Sequence, residues 1–401
     1  MFRFKRAILL SAIMVLAALL WGCRVVEPIK VPLVTAAISD VCYISPAYVL
    51  DYTNLGWFQL DETNPAKTFT LGGIECVVTA EPLTEVPGDD QFALRKLFIK
   101  TPMQELTIGH DNDLVFKPVE LMLDNGRKYL LAGCGFSDFV TDHETQKKSI
   151  VTRCAICSAG VQVGKIPSPF QSTITLYDSN LDGFYTSGDD GIVVGSPTAV
   201  AYYGSKGYLA QPISKYISTP PPSGGIFEIQ KLAKDGSELT LLPYRGPTAS
   251  LEVVLPPNYS GQIIMTSADT GLNVTLNGKA GEVVTVIPGD YTILAAMLSS
   301  DTPLPDSSHN LGVRVSGAGM PALKVKAGAK QVLVMSGPKV LEFQAALVDG
   351  KLKITPEMYF NVEIKGQAGE TYSCVTDTKN PAEIYLNVDG QSTFLGKAEY
   401  G

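Results

Sequence analysis

From residue 24 onward the chain is written in short apolar runs broken by Gly, Pro, Asn and Asp, with almost no sustained 3.6-residue periodicity. In the last third these runs are 251–255 (LEVVL), 283–287 (VVTVI), 291–294 (YTIL), 311–315 (LGVRV), 331–335 (QVLVM), 360–364 (FNVEI) and 383–388 (EIYLNV). Apolar runs of strand length between turn signals are what β-sandwiches are made from. The fold is therefore predicted to be mainly β and multi-domain. The best helical candidate is residues 92–99 (FALRKLFI), where Phe92, Leu94, Leu97 and Phe98 would share one face. It gives the amino-terminal domain some α character.

Turn-rich breaks lie at 165–169 (KIPSP), 219–225 (TPPPSGG) and 243–247 (PYRGP); the second reads as a hairpin loop or a hinge and the third as a linker. They divide the chain into a leader over 1–22, a mainly-β domain over 23–165, a β domain over 166–247, a sandwich over 248–336 and a last β-sandwich over 337–401. The phrase 286–293 (VIPGDYTI) resembles the strand entry of bacterial immunoglobulin-like and PEGA-type modules, in which Pro-Gly turns the chain and the aromatic residue anchors the next strand. An echo joins 277–282 (NGKAGE) to 365–370 (KGQAGE). The resemblance implies tandem immunoglobulin-like sandwiches in the carboxy-terminal third and says nothing about function.

The amino terminus changes the picture most. Arg3, Lys5 and Arg6 precede an apolar stretch from Ala7 to Leu20, which ends at Trp21, Gly22 and Cys23. That is the order of an export signal, and the stretch is shorter than the roughly 18 to 20 residues of a spanning helix. Residues 20–23 (LWGC) resemble the lipobox of bacterial lipoproteins, in which the Cys is acylated and becomes the new amino terminus. The resemblance implies lipidation at Cys23, a cell-envelope location and, with Arg24 next, the outer membrane or cell surface. Simple secretion and a signal anchor are the alternatives.

Cleavage before Cys23 removes three of the 32 basic residues and none of the 40 acidic ones, leaving 29 against 40, a formal charge of −11. Nucleic acid is thereby disfavoured as a partner, since it selects basic patches. Six cysteines remain: Cys42, Cys76, Cys134, Cys154, Cys157 and Cys374. An even number in an exported chain suits disulfides, and Cys154 with Cys157 is the one close pair. His110, His143 and His309 are scattered, which leaves no zinc spacing.

One motif carries chemistry. Residues 178–189 (DSNLDGFYTSGD) place oxygens at the first, third and fifth positions, Gly at the sixth and a carboxylate at the twelfth. Calcium takes six to eight oxygens, and a tightly coiled loop points alternate side chains inward together. Asp178, Asn180 and Asp182 would supply side chains, Phe184 its carbonyl, Thr186 a direct or water-mediated contact and Asp189 the closing carboxylate, while Gly183 takes the sharp turn. The loop resembles those of EF-hands and, more closely, of dockerins, which also end in Asp and carry an apolar residue at the eighth position, here Tyr185. The resemblance implies a calcium site and stops at these twelve residues, because the flanks, 172–176 and 191–194, are strand-like and there is one copy. An Asx-rich hairpin turn without metal is the alternative.

The triplet Asp269, Thr270, Gly271 lacks the flanks of an aspartic-protease motif, and no Gly-x-Ser-x-Gly, His-Glu-x-x-His, phosphate-loop or dinucleotide pattern occurs. The expectation is a membrane-tethered, calcium-stabilised lipoprotein with a structural, scaffold or surface-binding role, more a non-enzyme than an enzyme. Its partners would be the membrane and a cell-envelope protein or polysaccharide. An envelope hydrolase with its site in residues 24–165 is the alternative.

Overall fold

A computed structural model describes residues 27–37, 42–44, 58–81, 93–108, 118–123, 126–141, 148–196, 200–202, 205–221, 224–255, 259–278, 281–300, 312–317, 320–335, 338–342, 346–348, 351–353, 363–366, 369–373, 383–388 and 391–397. Strand takes up 62% of the interpretable chain and helix none, so the fold is all-β there. The helix expected at 92–99 is replaced by two strands, Ala93–Arg95 and Leu97–Lys100. Leu97 and Ile99 point inward while Lys100 is exposed, a period of two. Eight residues fit both templates, and pairing decides: Leu97–Lys100 lies between Ile74–Ala80 and Glu105–Ile108, with Val78 opposite Ile99 and Leu97 opposite Ile108.

Three apolar cores organise the described chain. The first fills the space between a four-stranded sheet (Ala66–Leu71, Ile74–Ala80, Leu97–Lys100, Glu105–Ile108) and a five-stranded one built on the long hairpin Lys128–Thr141 and Lys148–Ser158. Leu71, Val78, Leu97, Leu121, Leu131 and Ile156 lie in it.

The second core lies between the sheet Gln211–Pro212, Gly191–Val194, Thr173–Tyr177, Gly160–Lys165, Val34–Ala37 and the strands Ile29–Pro32, Glu238–Pro243, Ile226–Leu232, Tyr216–Ser218. Val31 and Leu33 sit in it beside Leu239 and Leu241. Residues 29–37 and 160–165, placed by the sequence with the first domain, thus pack with the second. The break at 165–169 is a turn inside this sheet, with Lys165 opposite Thr173 and Ile166 N donating to Ser172 O at 2.8 Å.

The third core is a sandwich of Leu272–Asn277, Tyr259–Ser267 and Gly289–Ser300 against Val283–Val286, Ala249–Val254 and Lys330–Val334. Tyr291 of the Pro-Gly phrase is its largest fully buried side chain, and its hydroxyl donates to Ile287 O at 2.6 Å. The two echoing segments share a backbone feature: Gly281 and Gly369 both take left-handed φ, 85° and 90°. Residues 269–271 form the turn between Tyr259–Ser267 and Leu272–Asn277, where Gly271 (φ 68°) donates to Ser267 O at 2.9 Å.

These units are not loosely strung. Tyr216–Ser218 and Leu272–Asn277 pair in parallel, which fuses the sheets of the second and third cores into one of twelve strands. That sheet runs on through Gly312–Ser316 to Thr371–Ser373, Glu363–Gly366 and Pro338–Glu342. Of 219–225, where 222 and 223 lie outside the described residues, the ends meet between the paired strands Tyr216–Ser218 and Ile226–Leu232, with Thr219 N donating to Gly225 O at 2.8 Å. The expected linker at 243–247 is partly bound: Tyr244 N donates to Ile226 O at 2.8 Å, and its ring stands edge-on to Tyr216 at 5.6 Å. No helix of the described residues is long and apolar enough to cross a membrane.

Tyr291→Phe removes the hydroxyl bond and should lower stability by about 1 kcal/mol, whereas Tyr291→Ala should cost about 3 to 5 kcal/mol by opening a cavity. Calorimetric melting of both variants checks the order; equal losses would mean that the ring is not the anchor.

Candidate metal centre

The segment 178–190 connects Thr173–Tyr177 to Gly191–Val194, an antiparallel pair closed by Tyr177 opposite Gly191. Its coil is set by left-handed backbone at Leu181 (φ 57°) and Gly183 (φ 80°). The side chains of the odd positions then turn toward the loop's own amides. Gly183 N donates to Asp178 Oδ2 at 2.8 Å, Asp182 N to Asn180 Oδ1 at 3.1 Å and Phe184 N to Asp182 Oδ1 at 2.7 Å. The three residues expected from sequence to supply side-chain oxygens are therefore gathered by one coil.

The acid that turns inward at the end of the loop is not Asp189, the one expected to close it, but its neighbour. Asp189 is exposed and only accepts from Thr186 Oγ1 at 3.3 Å. The next residue, Asp190, is 1% exposed and turns inward, accepting from Ser179 N at 2.9 Å through Oδ1 and from Thr186 N at 2.6 Å through Oδ2. Thr186 thus gives this carboxylate its amide, and Phe184 sits at the exposed rim. Both acids were visible in the sequence, but their order along the chain does not say which one faces in.

Electrostatics single out the same pair. Burial raises the Asp178 carboxyl to about 6, with Asp182 adding repulsion, against the opposing bonds from Tyr129 and Gly183. Asp190 is raised to about 7, first by burial, with the charges of Asp178 and Asp182 adding to it and the bonds from Thr186 and Ser179 opposing. Tyr129, 49 residues earlier, donates its hydroxyl to Asp178 Oδ2 at 2.5 Å, and no local sequence signal announces it. Three carboxylates close enough to repel one another, two of them out of water, are unfavourable when all are charged.

Among the described residues, no three His, Cys, Asp or Glu groups stand at mutual metal-ligand spacing. The loop side chains carry oxygen donors of the kind calcium takes, on Asp178, Asp182, Asp190 and the Asn180 amide, and in this structure those oxygens accept hydrogen bonds from the loop's own amides and from Tyr129.

Of the remaining site residues, Cys23 lies outside the described residues. A Cys154–Cys157 bridge is ruled out by the strand that holds both. Lys148–Ser158 is continuous, so residues three apart face opposite sides with Cα atoms about 10 Å apart. A disulfide needs about 4.4 to 6.8 Å. Cys154 is buried, with its Sγ 3.6 Å from Thr152 O, and Cys157 is half-buried. Among the described residues no disulfide forms; Cys76 is a buried thiol, raised to about 11 by burial and then by Glu75. The side chains of Cys42, Cys134 and Cys374 lie outside the described residues.

Both acids are raised above the ordinary 3.8, so the metal-free folded chain holds protons that the unfolded chain has released between pH about 4 and 7. Their contribution to stability therefore falls as pH rises through that window. In chelator, Asp190→Asn should flatten the dependence of melting temperature on pH between 5 and 8 relative to the parent; identical slopes would contradict the burial of this carboxylate. Comparison with protein families, with curated proteins and with solved structures found no match.

Proposed function

We propose that the chain is an exported lipoprotein, held to the cell envelope through an acylated Cys23, whose β body serves as a non-enzymatic scaffold or binding surface stiffened by one calcium ion in the loop 178–190. The observation that carries the calcium reading is the inward pair Asp178 and Asp190, 0% and 1% exposed, with Asp182 beside them. A divalent cation among these groups would cancel their repulsion and leave their amide hydrogen bonds in place. The export reading is supported by the order of charge, apolar stretch and Cys in residues 3–23. Two or three acyl chains give stable anchoring where one does not.

The two parts of this reading support each other through affinity. A single loop with short Asp ligands belongs with extracellular calcium modules, of roughly 10⁻⁴ to 10⁻³ M affinity. Such a site fills only where calcium is millimolar, and at ten times its Kd the ion adds about 1.4 kcal/mol to stability. A stabilising role follows, with no sensing of intracellular calcium. The fused twelve-stranded sheet suits a stiff support. The hydrolase alternative in residues 24–165 has less behind it: the described core there is built chiefly from apolar side chains, with Arg95, Ser137 and Thr152 among the buried polar ones.

Calorimetric titration of the chain with calcium should give one site. Asp190→Asn should weaken binding at least about tenfold, since it removes one charge from the inward set, while Asp189→Asn should change it little. The reverse ranking would return the closing role to Asp189, and no heat in the parent would end the calcium reading. Mass spectrometry of membrane-extracted protein tests the anchor: an acylated amino-terminal Cys23 is expected, and an unmodified Cys23 or a retained Met1 contradicts it.

A further inference from the structure

The loop 178–190 touches more than its own sheet. Leu181, 1% exposed, is a member of the first core, where it joins Leu71, Leu121 and Leu123. Tyr185, four residues later and 3% exposed, is a member of the second, beside Ile174 and Leu239. One turn of chain therefore plugs two interiors.

Backbone and side-chain bonds reinforce both plugs. Gly72 N, in the turn between Ala66–Leu71 and Ile74–Ala80 of the first unit, donates to Asp182 O at 2.6 Å. The approach is so close that a Cβ on Gly183 would lie 2.7 Å from Gly72 N. Tyr129 reaches Asp178 from the same unit. On the other side, Tyr185 N donates to Lys234 O at 2.8 Å. Arg127 spans the joint: it leaves the first unit just before Lys128–Thr141, and its guanidinium donates to Gly183 O in the loop and to Asp235 O, at 2.9 Å, in the second. The coil that aligns Asp178, Asn180 and Asp182 is thus the same coil that presents Leu181 and the Gly183 carbonyl to the first unit.

We propose that the loop is a latch between the two units, so that its ordering fixes residues 58–158 against the second core and its loosening frees them. A change of loop conformation withdraws Leu181, the Asp182 carbonyl and the Gly183 carbonyl together, because left-handed backbone at 181 and 183 sets all three directions. The latch rests on packing alone; that calcium is its trigger rests on the reading given above. An ion bound in the loop then acts at a distance, through a two-state element that both units bias.

Hydrogen exchange on the purified full chain tests latch and trigger separately. With millimolar calcium, exchange in peptides covering 178–190 and 69–74 should slow together, by about tenfold for a site held at ten times its Kd. In Arg127→Ala, or in Arg127→Lys if the first variant folds poorly, calcium should still protect 178–190 while its effect at 69–74 shrinks or vanishes. A parent in which calcium protects 178–190 and leaves 69–74 unchanged would overturn the latch. Should calcium protect neither segment, the trigger is lost and Leu181→Ala in chelator decides the rest. Faster exchange at both 69–74 and 178–190 then supports the latch, and faster exchange at 178–190 alone overturns it.

Discussion

Two carboxylates that must be taken out of water constrain this molecule more than any single apolar contact. Asp178 and Asp190 lie at the joint of two cores, each accepting at least two hydrogen bonds, and Asp182 stands near enough to repel both. The bonds dictate a coil, the coil dictates left-handed backbone at Leu181 and Gly183, and that backbone aims Leu181 into one core and leaves Tyr185 in the other. A cation in the coil would relieve the repulsion among these carboxylates. Site and joint are then a single structure, and stiffening one stiffens the other.

A second device, made of polar side chains, joins the second and third cores. Gln211 accepts from Thr275 Oγ1 at 2.9 Å and donates to Asn273 O at 3.2 Å, while Asn273 donates to Pro212 O at 2.9 Å and Gln262 accepts from Leu209 N at 2.8 Å. Gln211, Gln262 and Asn273 are buried, so these bonds carry the desolvation cost of breaking the seam. Together with the parallel pairing of Tyr216–Ser218 and Leu272–Asn277, they hold the second and third sandwiches as one body.

The legible part of this fold was the local part. Short apolar runs between turn signals foretold four of the six strands of the third core, all but Tyr259–Ser267 and Leu272–Asn277, and Tyr291 lies buried in it as the Pro-Gly phrase implied. The loop was found because its oxygens recur every second residue and its turn needs Gly183. Information carried by distant pairing was hidden. Residues 92–99 read as a helix until strands on either side fixed their alternation. Ile29–Pro32 joined the second core because its partner, Glu238–Pro243, lies some two hundred residues away. Asp190, Tyr129 and Arg127 take part in the loop for the same reason: whether an acid faces in, or a distant hydroxyl arrives, is settled by packing. The close Cys154 and Cys157 looked like a bridge only while their strand was unknown.

The proposed cation lies among Asp178, Asn180, Asp182 and Asp190 at the joint. Terbium replaces calcium at oxygen sites and emits when a nearby tyrosine absorbs; the Tyr129 hydroxyl is 2.5 Å from Asp178. The most direct measurement is therefore tyrosine-sensitised terbium luminescence of the purified chain. The account predicts saturable emission that calcium displaces and that falls sharply in Tyr129→Phe with Asp178→Asn. Absent emission, or emission unchanged by calcium and by those substitutions, would contradict it.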